Sequence, residues 1–184
     1  MRVDFSPPDI TDAECQEVLD ALQSGWITTG PRTKSLEKRV AERCGTSRAV
    51  CLNSATASLE LTLRVLGIGP GDEVIVPAYT YTASASPVVH VGATPVLIDA
   101  GEADGGYGLD PSVLAGAITP RTKAVIPVDI GGRMCDYAGL HEVVDSQRHL
   151  FAASGPVQEA LGRIALVADG AHSFGARRDD TPSG

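Results

Sequence analysis

Asp169 and His172 lie in the short segment Asp-Gly-Ala-His, directly after the apolar run of residues 164–168. A carboxylate and an imidazole that follow a buried strand can exchange protons with a ligand or hold a polar cofactor. Each side chain also has a common structural use, because an Asp can cap the turn after a strand and a His can satisfy its hydrogen bonds within the protein. The pair marks a candidate site whose chemistry depends on what the rest of the chain brings to it.

A second candidate site is the small-residue segment Asn-Ser-Ala-Thr-Ala-Ser at residues 53–58. The apolar residues 49–52 before it suit a strand, and Leu59, Leu63 and Leu66 after it fall on one face of a helix. A strand–loop–helix unit aims the free N–H groups of the first helical turn, and the positive end of the helix dipole, at one point that can bind a phosphate. Ser and Thr are also ordinary N-cap residues, so capping alone explains the segment equally well.

The elements that must position these motifs alternate along the chain. Continuous apolar runs predict strands at residues 49–52, 73–77, 94–99, 123–128 and 164–168. Helical spacing predicts helices at residues 11–24, 34–44, 59–66, 82–91, 111–118, 136–144 and 157–161. Residues 145–156 are irregular and predict a loop insertion, and no closing element is predicted after residue 177. Strands without polar alternation, separated by helices, indicate the fold class α/β, a three-layer αβα arrangement with a mainly parallel sheet.

Length, charge and cysteine usage bound the function. The 184 residues suit one domain, and the net charge of −8 argues against nucleic acid or an anionic membrane as partner. Four cysteines without C-x-x-C spacing favour buried free thiols in a reducing compartment over disulfides or a zinc site. The N-terminus lacks an apolar signal core and no apolar run has membrane-spanning length, so the sequence predicts a cytoplasmic protein without nucleic-acid or membrane partners.

The candidate site residues gather at one predicted edge of the sheet. Residues 53–56, 79–81 and 169–172, together with Asp129, all follow predicted strands, and parallel sheets bind ligands beyond the carboxyl ends of their strands. The sequence therefore predicts a phosphate site, an aromatic ring, a carboxylate and a histidine in one place.

Pyridoxal phosphate is a cofactor that needs this set of groups. Its phosphate suits a helix N-terminus, and its flat ring suits an aromatic face such as Tyr81. Its pyridine nitrogen needs an ionised carboxylate, for which Asp169 is the candidate, and His172 can donate to the 3-hydroxyl oxygen. For Tyr81, ordinary packing stays an equally open alternative. The only tryptophan, Trp26, is either a packing residue or part of a binding wall, and its loop favours packing.

Several short motifs recur in one order across almost the whole chain. They are GWITTGP at residues 25–31, NSATAS at 53–58, GIGPGDEVIVP at 67–77, YTY at 79–81, GATPV at 92–96, ITPRTK at 118–123, PVD at 127–129 and DGAHSFGA at 169–176. In these motifs the sequence resembles the DegT/StrS-type nucleotide-sugar aminotransferases. The resemblance implies a fold-type I pyridoxal phosphate enzyme that acts as a dimer, with its site at the subunit interface.

The resemblance also implies roles for individual residues. Ala55 and Thr56 would hold the cofactor phosphate, Tyr81 would stack on the ring, Asp169 would pair with the ring nitrogen and His172 would contact the 3-hydroxyl. Trp26, Thr28 and Thr29 would lie near the sugar. The implied reaction transfers an amino group, usually from glutamate, to a keto sugar carried on a nucleotide diphosphate. The Asp-x-Ala-His motif resembles members that aminate a 4-keto hexose.

One family feature is not found in these 184 residues. The family lysine that forms a Schiff base with the cofactor lies beyond the Asp169 motif, whereas the lysines here are Lys34, Lys38 and Lys123. Residues 1–184 are therefore expected to be an incomplete cofactor-binding large domain, with an N-terminal helix and loop at 1–32 and without the C-terminal small domain. Three explanations of the missing half stay open: it is a complementing C-terminal polypeptide, it has been cleaved, or it has been lost. The alternatives are a truncated non-catalytic paralogue with a regulatory or dimerising role, and a sugar dehydratase of the same family.

Overall fold

A computed structural model describes residues 8–101 and 107–183 of the chain. These residues divide into a first unit, residues 8–42 with 46–51, and a second unit, residues 43–45 with 52–183. The described part contains no helix that is long and apolar enough to cross a membrane. Residues 1–7, on which part of the leader prediction depends, lie outside the described residues.

The first unit carries two helices. Helix α1 spans Asp12–Gln23, and helix α2 spans Pro31–Cys44, whose last residues belong to the second unit. The predicted capping box of α1 is confirmed, since the Thr11 side chain accepts from the Ala13 N–H and the Glu14 carboxylate accepts from the Thr11 N–H. No residue of α1 is buried, so its apolar stripe faces outward.

The second unit carries the predicted alternation of helices and strands. In chain order its elements are α3 (Ala55–Val65), β1 (Glu73–Pro77), α4 (Thr82–His90), β2 (Thr94–Ile98), α5 (Pro111–Ala117), β3 (Thr122–Val125), α6 (Tyr137–Ser146), α7 (Pro156–Leu161), β4 (Ala165–Leu166), β5 (Arg177–Arg178) and β6 (Thr181–Pro182). Strands β1 to β4 form one parallel sheet in the order β2-β1-β3-β4. The predicted α/β fold class with a mainly parallel sheet is confirmed.

Two separate hydrophobic cores cover the two faces of this sheet. Val74 and Val76 of β1 pack with Leu63 of α3 and Val88 of α4, and Ile75 between them belongs to the core that contains Leu114, Leu140 and Val144 of α5 and α6. The alternation follows from the two-residue period of a strand. Because both faces are buried, β1 is apolar throughout its middle. This continuous apolar run is the signal that predicts the strand from the sequence.

The predicted strand at residues 49–52 is wrong. These residues have no regular secondary structure, and Val50 is 74% exposed. The Cys51 N–H donates to the Glu37 carboxylate at 3.0 Å instead of to a neighbouring strand. An apolar run forms a strand only where another strand can pair with it, and none of the described strands does so here.

The tail contains an element that the sequence analysis missed. Strands β5 and β6 form an antiparallel hairpin, joined by Asp179 and Asp180 at positive φ angles of 47° and 63°. A two-residue turn with both residues in the left-handed region matches the twist of a hairpin, and Asp tolerates that region better than most residues. The dipeptide Asp-Asp was the signal.

The predicted loop insertion at residues 145–156 is partly helical. Helix α6 continues to Ser146, a 3-10 turn spans Arg148–Leu150, and α7 begins at Pro156. The irregular remainder is fastened to the sheet, because the Lys123 ammonium donates to the Ala152 carbonyl and the Ser154 hydroxyl donates to Asp72 at 3.1 Å.

The cysteine prediction is right about free thiols and wrong about their burial. All four cysteines are free, but only Cys135 is buried, Cys15 is exposed, and Cys44 and Cys51 are half-buried.

Leu63 offers a direct test of the core on the α3 face of the sheet. Its side chain is fully buried, whereas Leu61 on the same helix is 46% exposed. We expect Leu63→Ala to lower the free energy of unfolding by about 2–5 kcal/mol, because it leaves a cavity in a packed core. The matched variant Leu61→Ala should cost less than about 1 kcal/mol. Urea unfolding followed by circular dichroism measures both, and equal losses would contradict this packing.

Candidate functional site

A cavity of about 250 Å³ opens at the edge of the sheet where the strands end. The sequence-predicted residues Ala55, Thr56, Tyr81, Asp169 and His172 all line it. They come from the start of α3, the start of α4 and the segment after β4. The carboxyl ends of parallel strands meet at one edge, which is why residues more than 100 positions apart share one cavity.

The start of α3 combines a cap with free donors. Ser54 is the N-cap, and its hydroxyl accepts from the Ala57 N–H at 3.1 Å. The first hydrogen bond of the helix runs from the Ser58 N–H to the Ser54 carbonyl, so the N–H groups of Ala55 and Thr56 precede the helical ladder. The capping interpretation is therefore correct for Ser54. The next two residues retain the geometry that binds an anion.

Asp169 is held by backbone and side-chain hydrogen bonds. Its N–H donates to the Pro127 carbonyl at 2.8 Å and its carbonyl accepts from the Asp129 N–H at 3.1 Å, which extends the pairing of β3 with β4. In the side chain, Oδ2 accepts from the Ser84 hydroxyl at 2.7 Å and Oδ1 accepts from the Ala171 N–H at 3.3 Å. Asp169 therefore caps the next turn and also presents a carboxylate to the cavity.

His172 accepts a hydrogen bond at one of its ring nitrogens. The Gly131 N–H donates to Nδ1 at 3.2 Å, and Gly131 reaches this position with a φ of 63° in the left-handed region. Because Nδ1 is the acceptor, a neutral His172 carries its proton on Nε2. The ring is exposed. Its Nε2–H is therefore a donor available to a ligand.

The aromatic candidates are both exposed. The Tyr81 ring is 79% exposed at the N-cap of α4, so this residue is not an ordinary packing residue. Trp26 is 58% exposed, lies in the first unit and donates from Nε1 to the Thr29 carbonyl at 3.1 Å. The prediction that Trp26 is a buried packing residue is therefore wrong. Its ring lies so close to Gly30 that a Cβ there would come within 2.1 Å of it.

The predicted sugar-binding residues belong to the first unit. Trp26 and Thr28 line a different cavity of about 510 Å³, formed within the first unit, and the Thr29 carbonyl holds the Trp26 ring. The structure thus brings the predicted cofactor residues together within the second unit.

Asp129 is a buried carboxylate in the wall of the cavity, 1% exposed. Its Oδ1 accepts from the Cys135 N–H and the Tyr137 hydroxyl, each at 2.9 Å, and its Oδ2 accepts from the Ser173 hydroxyl at 2.8 Å. Burial, to which the Asp129 charge adds, raises the pKa of the Tyr137 phenol far above its usual range. Burial also raises the pKa of the Cys135 thiol to about 11.

Two polar residues of the site carried little or no signal in the sequence. The only signal of Asp129 in the sequence is its position after a strand, and Ser84 has none because a serine in a small-residue helix has no distinctive pattern. Within residues 8–101 and 107–183 no cluster of His, Cys, Asp or Glu could hold a metal ion. The chemistry available at the cavity is therefore anion binding at one end and carboxylate and imidazole hydrogen bonding at the other.

Comparison with known proteins identifies a family. The model of the DegT/DnrJ/EryC1/StrS aminotransferase family matches residues 8–184. The spore coat polysaccharide biosynthesis protein SpsC of Bacillus subtilis is 47% identical over 132 residues, which are 72% of this chain and 33% of SpsC.

Solved structures agree with this match. The PMP and PLP forms of Spr1654 from Streptococcus pneumoniae, described as a sugar aminotransferase, are 55% identical with a TM-score of 0.95, and they cover 100% of this chain and 46% of Spr1654. A GDP-4-keto-6-deoxymannose-3-dehydratase, 22% identical with a TM-score of 0.81 over 100% of this chain and 45% of its own, shares the fold. The chain thus spans less than half the length of these relatives.

The Asp129 network predicts unequal effects for two substitutions. Asp129→Ala should lower the free energy of unfolding by about 2–5 kcal/mol, because two buried donors and one part-buried donor lose their acceptor. Asp129→Asn should cost clearly less, since the amide oxygen can still accept and the amide N–H can donate to the Ser173 oxygen. Urea unfolding compares the two variants. Similar losses in both, or none in either, would contradict the network.

The raised pKa of Cys135 predicts the pH dependence of its reactivity. At pH 8 a thiol with a pKa of about 11 is ionised in only about one molecule in a thousand. At pH 8 a disulfide reagent should therefore modify the exposed Cys15 quickly and the native Cys135 very slowly, with the Cys135 rate rising toward pH 11. Mass spectrometry of the modified peptides measures both sites. Equal rates at pH 8 in the folded protein would show that Cys135 is not buried as described.

Proposed function

The chain belongs to the DegT/DnrJ/EryC1/StrS aminotransferase family, and we propose that it is the cofactor-binding part of a pyridoxal-phosphate-dependent sugar aminotransferase. The proposed enzyme transfers an amino group from glutamate to the keto sugar of a nucleotide-diphosphate sugar. The observation that supports this most directly is the cavity shared by Ala55, Thr56, Tyr81, Asp169 and His172. When bound, the cofactor supplies an electron-withdrawing ring to the carbon that carries the amino group.

The start of α3 is the proposed phosphate site. The N–H groups of Ala55 and Thr56 lack partners within the helix, and the dipole of this 11-residue helix favours negative charge at its start. The Thr56 hydroxyl, in the cavity wall, adds a donor. These donors would fix one end of the cofactor and leave its ring to the opposite side of the cavity.

Asp169 is the proposed partner of the ring nitrogen. Its carboxylate takes one neutral donor on each oxygen and no cation among the hydrogen bonds and ion pairs of the described residues, so a protonated pyridine nitrogen would be its charged partner. A carboxylate at this point would hold the proton on the nitrogen and keep the ring electron-withdrawing. The proposed role of Tyr81 is to cover one face of the ring with its exposed side chain.

His172 is the proposed donor to the 3-oxygen of the ring. The bond from the Gly131 N–H leaves the proton of a neutral imidazole on Nε2, so a donor rather than an acceptor is offered to the ligand. For the sugar we propose Trp26, Thr28 and Thr29, which the family resemblance suggests and which lie together in one loop.

A lysine for covalent attachment is not found at the cavity. None of the described residues that line it is a lysine. Lys123 is buried at the other end of β3, where its ammonium donates to the carbonyls of Pro120 and Ala152. We propose that the lysine comes from outside these 184 residues, either in the remainder of a longer chain or in a complementing polypeptide. The proposed assembly is a cytoplasmic homodimer.

Pyridoxamine 5′-phosphate provides the test, because it carries the phosphate and the ring but needs no lysine. We expect the chain to bind it in equilibrium dialysis, and Asp169→Asn to weaken binding about tenfold or more through loss of the charged partner of the ring nitrogen. Asp145→Asn removes the same charge from an exposed position of α6 and should change the affinity less than about twofold.

Two results would overturn the proposal. One is the absence of saturable binding by the folded chain. The other is binding that is equally strong in wild type and Asp169→Asn, which would place the ligand elsewhere. Either result would favour a non-catalytic partner role.

A further inference from the structure

Ser84 links two residues of the proposed site that are far apart in the sequence. Its hydroxyl donates to Asp169 Oδ2 at 2.7 Å, and its N–H donates to the Tyr81 carbonyl at 3.0 Å. Resting on the proposed function, we infer that Ser84 is a positioning residue, which sets the carboxylate of Asp169 against the ring nitrogen of the cofactor. Thr80 is inferred to orient the Ser84 hydroxyl.

The direction of the hydrogen bonds follows from counting protons. Ser84 has one hydroxyl proton, and the ionised Asp169 carboxylate can only accept. The Ser84 proton therefore goes to Asp169. The Thr80 oxygen lies 2.8 Å from the Ser84 oxygen, so Thr80 must donate its own proton to Ser84. The result is an ordered chain of two hydroxyl groups that ends on one carboxylate oxygen.

Burial of Ser84 protects these hydrogen bonds from water. Ser84 is 1% exposed and lies in the first turn of α4, so water does not compete for its hydroxyl. The second donor to Asp169, the Ala171 N–H, is longer at 3.3 Å. The hydrogen bond from Ser84 is thus the shorter of the two that hold the plane of the Asp169 carboxylate. Removing it would leave only the longer bond from the Ala171 N–H to oppose rotation about the terminal bond of the side chain.

The same residue fixes the distance between the ring platform and the carboxylate. Tyr81 is the N-cap of α4, and the Ser84 N–H holds its carbonyl while the Ser84 hydroxyl holds Asp169 beyond β4. A ligand ring that stacks on Tyr81 and pairs with Asp169 needs this spacing to be constant. Ser84 is the one residue that contacts both among the hydrogen bonds described.

The alternative is that Ser84 only ties α4 to the end of the sheet. A matched bond at the opposite end of the sheet separates the two roles: the Thr119 hydroxyl donates to the buried Glu73 carboxylate at 2.5 Å. Thr119→Ala removes a hydroxyl–carboxylate bond of the same kind away from the cavity. Its effect should be confined to stability.

The experiment measures the affinity of the 184-residue chain for pyridoxamine 5′-phosphate labelled with ¹⁵N in the ring, and the resonance of that ¹⁵N in the complex. Ser84→Ala should weaken binding about fivefold to tenfold and shift the ring ¹⁵N resonance toward the unprotonated nitrogen, because the carboxylate is no longer held in place. Ser84→Thr keeps the hydroxyl and should restore both values to within about twofold of wild type. Thr119→Ala should lower the urea midpoint and leave the affinity and the resonance unchanged.

Thr80→Val keeps the inference testable if Ser84→Ala does not fold, since valine preserves the shape of threonine. It should move the ¹⁵N resonance in the same direction by a smaller amount. The positioning role is overturned if the resonance and the affinity are unchanged in Ser84→Ala, or in Thr80→Val where Ser84→Ala is unfolded. The proposed function stays intact in that case, provided that Asp169→Asn still weakens binding. If wild type does not bind, or Asp169→Asn binds equally well, the proposed function and this inference both fail.

Discussion

The backbone pairing between the ends of β3 and β4 is the constraint on which the site depends. Beyond the last named strand residues, Asp169 exchanges backbone hydrogen bonds with Pro127 and Asp129 on the neighbouring chain segment. These bonds fix where the chain leaves the sheet, and therefore where a carboxylate and an imidazole enter the cavity. The starts of α3 and α4 supply the other walls of the cavity.

Asp129 shows how the same edge stabilises irregular backbone. One buried carboxylate accepts from residues 135, 137 and 173, so it joins the loop before α6 to the turn that carries His172. The Ser173 hydroxyl lies 2.5 Å from the Ser183 hydroxyl, which brings the β5–β6 hairpin into the same network. Burying a charge costs free energy unless the charge is fully hydrogen-bonded. The hydrogen bonds that satisfy the Asp129 carboxylate are the same ones that order these loops.

The sequence predicted what depends on local pattern and missed what depends on a distant partner. Strand β1 was identified because both of its faces are buried, and the cap of α1 because its signal lies within four residues. Residues 49–52 have the composition of a strand, but pairing is a tertiary property and the described chain offers no neighbour. Asp169 was predicted from its place after a strand, whereas Ser84 becomes visible only when α4 packs beside that strand end.

The burial of Lys123 determines which lysines of this chain can react with an aldehyde. Its ammonium is enclosed by the Pro120 and Ala152 carbonyls and lies 5.7 Å from the centre of the Phe151 ring, whereas Lys34 and Lys38 are exposed on α2. Of the three lysine side chains, only the two on α2 are open to an aldehyde in solution. Secondary amines that borohydride reduction fixes on lysines after exposure to pyridoxal phosphate would therefore report surface labelling of α2 rather than occupancy of the cavity.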